Sequence, residues 1–141
     1  MKAEIITSGT EIVLGQVEDT NATYISRALT AAGWRVIRRS AVADDRAAFE
    51  AVVADAARRA DALVITGGLG GTDDDLTRDV VAKVAKKPLV ARPDLLRKID
   101  ALFARRKLRR PDIVAREARN PRGAFVLTNA IGSAPGFVLR S

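Results

Sequence analysis

Leu63-Val64-Ile65-Thr66-Gly67-Gly68-Leu69-Gly70-Gly71-Thr72-Asp73-Asp74-Asp75-Leu76-Thr77 is the stretch whose reading decides the fold. From Asp61 to Thr66 the chain is apolar and β-branched, which predicts a strand buried on both faces. Four glycines in the next five residues leave bare backbone where side chains would keep a ligand away. Three aspartates and Thr77 then open a helical pattern at Leu76, Val80, Val81 and Val84. A strand, a glycine turn and a helix start make an anion-binding corner, because unpaired N–H groups and the helix dipole converge there. Asp73, Asp74 and Asp75 would repel an anion unless a hard cation such as Mg²⁺ stood between them. The plainer reading makes Asp73 or Asp74 a helix cap and the glycines only a turn. Glycines and an acid cluster at one strand-to-helix junction favour the ligand site.

Working outward, Ala3 to Thr7 reads as a first strand ending in Ser8-Gly9-Thr10-Glu11, small residues and an acid at a strand's carboxyl end. That is the ligand-binding edge of open α/β sheets. Ile12 to Glu18 reads as a loop. Asp19-Thr20-Asn21 offers caps for a helix burying Ile25, Ala28, Leu29 and Ala32 and stopping at Gly33. Trp34 to Val42 is a second strand. Asp44-Asp45 then caps a helix burying Phe49, Val52, Val53 and Ala56. Asp44 reads either as that cap or as a further acid on the edge of the glycine turn. The β-α-β-α-β-α order argues for a parallel sheet with helices on both faces.

Beyond the turn, Pro88-Leu89-Val90 is an extended link. Pro93 opens a helix burying Leu95, Ile99, Leu102 and Phe103, closed by Arg105-Arg106-Lys107. Leu108 to Arg122 is polar and basic with no legible element. Ala124 to Thr128 is a further strand, followed by a second glycine-bearing turn from Asn129 to Phe137.

At 141 residues the chain reads as one domain with room for a core. It has no cysteine and no histidine, which excludes disulfides, thiol nucleophiles, Ser-His-Asp triads and His-ligated metals. Catalysis is left to carboxylates, hydroxyls, Lys/Arg and an oxygen-ligated cation. No signal or membrane-spanning pattern is seen, so a cytoplasmic protein is expected. The +7 net charge is concentrated between Arg97 and Arg122, with ten Lys/Arg against three acids. With few, scattered aromatics to stack on bases, this segment reads as a solvated face or a steering field rather than a nucleic-acid surface.

Gly67-Gly68-Leu69-Gly70-Gly71-Thr72-Asp73-Asp74-Asp75-Leu76-Thr77 closely resembles the Gly-Gly-Leu-Gly-Pro-Thr-x-Asp-Asp-Leu-Thr signature of the CinA (competence/damage-inducible protein A) family. Gly9-Thr10-Glu11 with Leu14-Gly15-Gln16, Asp19-Thr20-Asn21-Ala22 and Gly132-Ser133-Ala134-Pro135-Gly136-Phe137 match it further, in order and spacing. The resemblance implies the MoaB/MogA molybdopterin-binding fold, a three-layer α/β/α sandwich with a mostly parallel sheet. It implies a glycine turn cradling a pterin phosphate or an adenylate, with two aspartates matching Asp44 and Asp75 in the chemistry. CinA-type domains also imply metal-dependent hydrolysis of ADP-ribose. On this resemblance Asp44 and Asp75 are the expected catalytic residues, and Asp44, Asp74 and Asp75 the expected ligands of Mg²⁺ or another divalent cation. The expected ligand or phosphate contacts are Gly9, Glu11, Asn21, Gly67, Gly68, Leu69, Gly70, Gly71, Thr72, Thr77, Asn129, Gly132 and Ser133. The alternatives are a molybdopterin-binding or adenylyl-transfer protein, and a non-catalytic module. Gly71 departs from the family's proline. The chain ends before the family's Leu-Pro-Gly-type loop and carboxy-terminal amidase domain, so an early-closed sheet and a homo-oligomer are expected.

Overall fold

The computed structural model describes residues 1–140, which divide into two compact units on either side of the Gly68–Leu69 bond. In the first unit, β1 (Lys2–Ser8), α1 (Thr10–Val13), α2 (Thr20–Ala31), β2 (Arg35–Val42), α3 (Arg46–Ala57) and β3 (Ala62–Thr66) follow in order. The three strands form a parallel sheet ordered β2-β1-β3, with Ser8 beside Val42 and Thr7 beside Thr66. Parallel strands need crossovers, and α2 and α3 supply them. Because the order changes direction at β1, right-handed crossovers place α2 and α3 on opposite faces of the sheet.

That topology decides which strand is buried. Every residue of β1 from Ala3 to Ser8 is buried, whereas β3, expected to be buried on both faces, is half-buried along its length. β3 is an edge of this sheet, so its apolar run marks a strand without marking the centre. The central position also buries Glu4, which accepts from Arg59 Nε at 2.5 Å and Nη2 at 2.8 Å. α3 buries Phe49, Val53 and Ala56 as expected. α2 differs from expectation: Ala22 is buried, Ile25 and Leu29 are half-buried, and Ala28 and Ala32 are exposed. Its stripe begins one turn earlier because Asp19 docks the helix by its first turn on Thr7 of β1.

The second unit holds α4 (Thr77–Val84), β4 (Leu89–Ala91), α5 (Pro93–Arg105), a 3₁₀ segment (Asp112–Ala118), β5 (Arg119–Pro121), β6 (Phe125–Leu127) and β7 (Gly136–Val138). β4 pairs antiparallel with β5, and β6 with β7. Leu95, Ile99 and Ala118 form its core, with Leu96, Phe103, Val114 and Val126 packed on them. The illegible Leu108 to Arg122 stretch thus contains a 3₁₀ segment and a strand. Its order comes from distant partners: Arg92 N donates to Ala118 O, and Arg122 N to Pro88 O, each at 2.9 Å. β7 begins inside what reads as a turn, because three residues become a strand only by pairing with β6. Among the described residues no helix is long and apolar enough to cross a membrane.

Candidate functional site

In the first unit, β1 and β3 end side by side where the strand order changes direction, the place where ligands bind in open parallel sheets. Thr10 N and Oγ1 donate to Asp44 Oδ2 at 3.1 and 2.9 Å. Asp44 N donates back to Thr10 Oγ1 at 3.0 Å, and Ser8 Oγ reaches Oδ1 at 3.4 Å. Asp44 does not cap α3; Asp45 does, accepting from Ala48 N at 2.7 Å. The capping role open to Asp44 in the sequence therefore belongs to its neighbour. Asp19 caps α2 through Ala22 N at 2.9 Å and also accepts from Thr7 Oγ1 at 2.6 Å. Glu11 folds its carboxylate over Gly9, where a Cβ would meet Oε1 at 2.6 Å. Asn21 is exposed in the first turn of α2. Gly67 has φ +86°, and a Cβ there would collide with the carbonyl oxygen of Ser8, so this position requires glycine.

In the second unit, the N–H groups of Leu69, Gly70 and Gly71 donate no hydrogen bond among the described residues. The chain then closes a ring: Thr72 N and Oγ1 donate to Asp75 Oδ2 at 2.9 and 2.6 Å, and Asp75 N returns to Thr72 O at 3.2 Å. No side chain caps α4, whose N-cap is Leu76, so neither Asp73 nor Asp74 fills that role. Asp73 instead pairs with Arg116 at 2.7 Å, and Asp74 is exposed with no partner among the described residues. Gly71 lies where a Cβ would meet Ile113 O at 2.6 Å, which makes it the seat of the 3₁₀ segment. Thr77 is buried at the start of α4. Asn129 Oδ1 accepts from Ile131 N at 2.9 Å and Gly132 N at 3.0 Å, while Nδ2 donates to Ala134 O at 3.0 Å. Asn129 therefore shapes the second turn, and the Gly132 N–H is engaged within it.

Two buried charges that the sequence does not announce stand behind these turns. Arg78, on α4, donates through Nη1 to the carbonyls of Leu69 and Gly70 and through Nη2 to Pro135 O at 3.1 Å. Burial lowers its pKa, against the raising fields of Glu117, Asp75 and Asp79. Glu117, on the 3₁₀ segment, has its pKa raised by burial; a hydrogen bond with Ser133 and the charge of Arg78 oppose this, and Asp75 adds to it. A small cleft beside them is lined by Gly70, Asp75, Arg78, Asp79, Arg116 and Arg119. Among the described residues no group of three or more Asp, Glu, His or Cys side chains is placed to hold a metal ion. Mg²⁺ is commonly held by one or two carboxylates together with substrate phosphates, so these carboxylates alone do not make a closed cation site.

The sequence profile of a family described as a probable molybdopterin binding domain matches residues 4–141. The crystal structure of the protein CinA from Thermoplasma acidophilum superposes with a TM-score of 0.89 at 31% identity, covering 97% of this chain and 80% of that one. The chain belongs to the CinA-like branch of the molybdopterin-binding domain family. A CinA-like protein of Desulfosudis oleivorans is 45% identical over 139 residues, 99% of this chain and 34% of the relative. This family member thus spans about a third of the curated relatives it matches. MoaB from Pyrococcus furiosus, a tungsten cofactor synthesizing protein, has a TM-score of 0.56 at 23% identity, covering 74% of this chain and 63% of its own. At that identity the likeness shows the fold, an α/β architecture with a parallel sheet. Within the family's signature stretch, the sequence picked out the acids and glycines. It missed Arg78, one residue past Thr77, because an Arg in a helix's first turn ordinarily reads as solvated surface.

Proposed function

We propose that this chain binds a phosphate-bearing nucleotide, ADP-ribose or a close analogue, and hydrolyses its pyrophosphate bond. The observation that carries this reading is the run of unengaged N–H groups at Leu69, Gly70 and Gly71, closed at its end by the Thr72–Asp75 ring. Consecutive free amides form an anion-binding concavity, and water exclusion by a ligand strengthens them. Without histidine or cysteine, a carboxylate is the base this reading assigns to the attacking water, and Asp75 and Asp44 are the candidates. Water oxygen then bonds to phosphorus, the bridging P–O bond breaks, and AMP and ribose phosphate leave. Mg²⁺ or another divalent cation would neutralise phosphate charge when bound, with Asp74 or Asp75 of the second unit contributing beside the ligand's own phosphate oxygens.

A thermal-shift and turnover assay with ADP-ribose, ATP and a pterin, with and without Mg²⁺, tests the reading. A ligand at about 100 times its dissociation constant should stabilise the chain by about 2.7 kcal/mol. Metal-dependent release of AMP supports hydrolysis. The family's description, a probable molybdopterin binding domain, supports a second reading of pterin binding, with adenylyl transfer as its candidate chemistry; tight pterin binding without AMP release would replace the first by it. Absence of any response would leave a non-catalytic module.

A further inference from the structure

We propose that Arg78 is the positioning residue of the glycine turn, aiming the free amides of Gly70 and Gly71 by holding the carbonyls behind them. The inference rests on the reading that those amides meet the ligand's phosphates. Each peptide unit is planar, with its C=O and the next residue's N–H pointing in opposite directions. Arg78 Nη1 takes the carbonyl of Leu69 and, at 3.3 Å, that of Gly70. Those two bonds fix the planes that carry the Gly70 and Gly71 N–H groups and turn these groups away from the guanidinium. The second arm, Nη2, holds Pro135 O, so one rigid fork ties the glycine turn to the turn that contains Gly132 and Ser133.

Stability alone does not explain a cation at this place. Arg78 is 4% exposed, and burying a charge costs more than burying an apolar side chain of the same volume unless every partner is supplied. It also sits in the first turn of α4, where the helix dipole disfavours a cation. Its Nε has no partner among the described residues. Glu117, 5% exposed and tied to Ser133, supplies countercharge from the 3₁₀ segment. What the arrangement gains is a backbone set before the ligand arrives, which spares the ordering cost on binding.

Arg78→Lys tests this, since lysine keeps the charge facing Glu117 but cannot grip carbonyls of two turns in one plane. Backbone order parameters are measured alongside the affinity for ADP-ribose and for inorganic pyrophosphate with Mg²⁺. In the variant, amides at Gly70 and Gly71 should fall from about 0.85 to below about 0.6, with those of α5 unchanged. Affinity for both probes should weaken at least about tenfold. Unchanged order at Gly70 and Gly71, a uniform loss across α5, failure of Arg78→Lys to fold, or affinity within about twofold of wild type would each overturn the proposal. If the wild-type chain binds neither probe, the phosphate-site reading falls, and the order parameters still decide whether Arg78 sets the turn.

Discussion

Replacing Asp75 by Asn keeps an oxygen for Thr72 N and Oγ1 and removes only the charge. Stability should change by less than about 1 kcal/mol, since one ring of hydrogen bonds is retained in neutral form. Metal-dependent turnover or ligand response should fall by about two orders of magnitude; wild-type turnover in Asp75→Asn would return the residue to a purely structural role. A methyl at Gly70 is expected from the sequence to block a phosphate without disturbing the acids. The structure corrects this, because a Cβ there would strike the Asp75 carboxylate. Gly70→Ala should therefore mimic loss of the Asp75 ring. Gly67→Ala acts differently: left-handed backbone alone costs an L-residue about 1–2 kcal/mol, and the Ser8 carbonyl adds a collision. Chemical denaturation should rank Gly67→Ala as the more destabilised of the two.

Among the elements, α3 and α4 start in opposite ways. α3 is capped by Asp45, so Asp45→Ala should cost about 1 kcal/mol of stability. Asp44→Ala should leave that cap intact and instead free Thr10 from its carboxylate. If denaturation shows Asp44→Ala uncapping α3 and Asp45→Ala silent, the assignment is reversed. Periodicity located α3 and α5 because each buries a regular apolar stripe through Phe49 and Val53, or Leu95 and Ile99. The same logic predicts β3 buried on both faces, but the fully buried strand is β1. A run of Leu63-Val64-Ile65 records β-propensity and apolarity, whereas burial depends on which strands lie on either side. The 3₁₀ segment and β5 were illegible for a related reason: the Arg92–Ala118 and Arg122–Pro88 bonds join residues far apart in the chain.

For the molecule as a whole, Glu117 introduces a pH dependence with a definite sign. Its carboxyl is held above the ordinary value near 4.5, chiefly by burial. The native state thus keeps this proton more tightly than the unfolded chain. The corresponding stability is fully present below the ordinary carboxylate pKa and is lost as pH rises through the raised one. Glu117→Gln abolishes that loss, so the variant's melting temperature minus the wild type's should increase between about pH 4 and about pH 8. A difference that stays flat would show that Arg78 fully compensates the buried carboxylate. Self-association is the other expectation at this scale: on the β6–β7 hairpin Phe125 is 70% exposed, with Leu127 and Val138 about half exposed, and apolar strands of this kind tend to find partners. Sedimentation of only a 15.1 kDa species at micromolar concentration would refute it.

By itself the sequence determined the class of fold and the inventory of chemistry. Alternating strand and helix patterns from Ala3 to Thr77 specify a parallel α/β unit, since parallel strands need crossovers. The absence of His and Cys leaves any reaction to carboxylates, hydroxyls, Lys/Arg and an oxygen-ligated cation. Only the tertiary structure decided which acid bonds to which partner. Asp44 and Asp45 are adjacent and chemically identical, and they part because one faces Thr10 across the end of β1 while the other faces the first turn of α3. Arg78 and Glu117 belong to the same category. A charged residue is written identically whether solvated or buried, and it acquires its role from the carbonyls and countercharges that folding brings to it from distant parts of the chain.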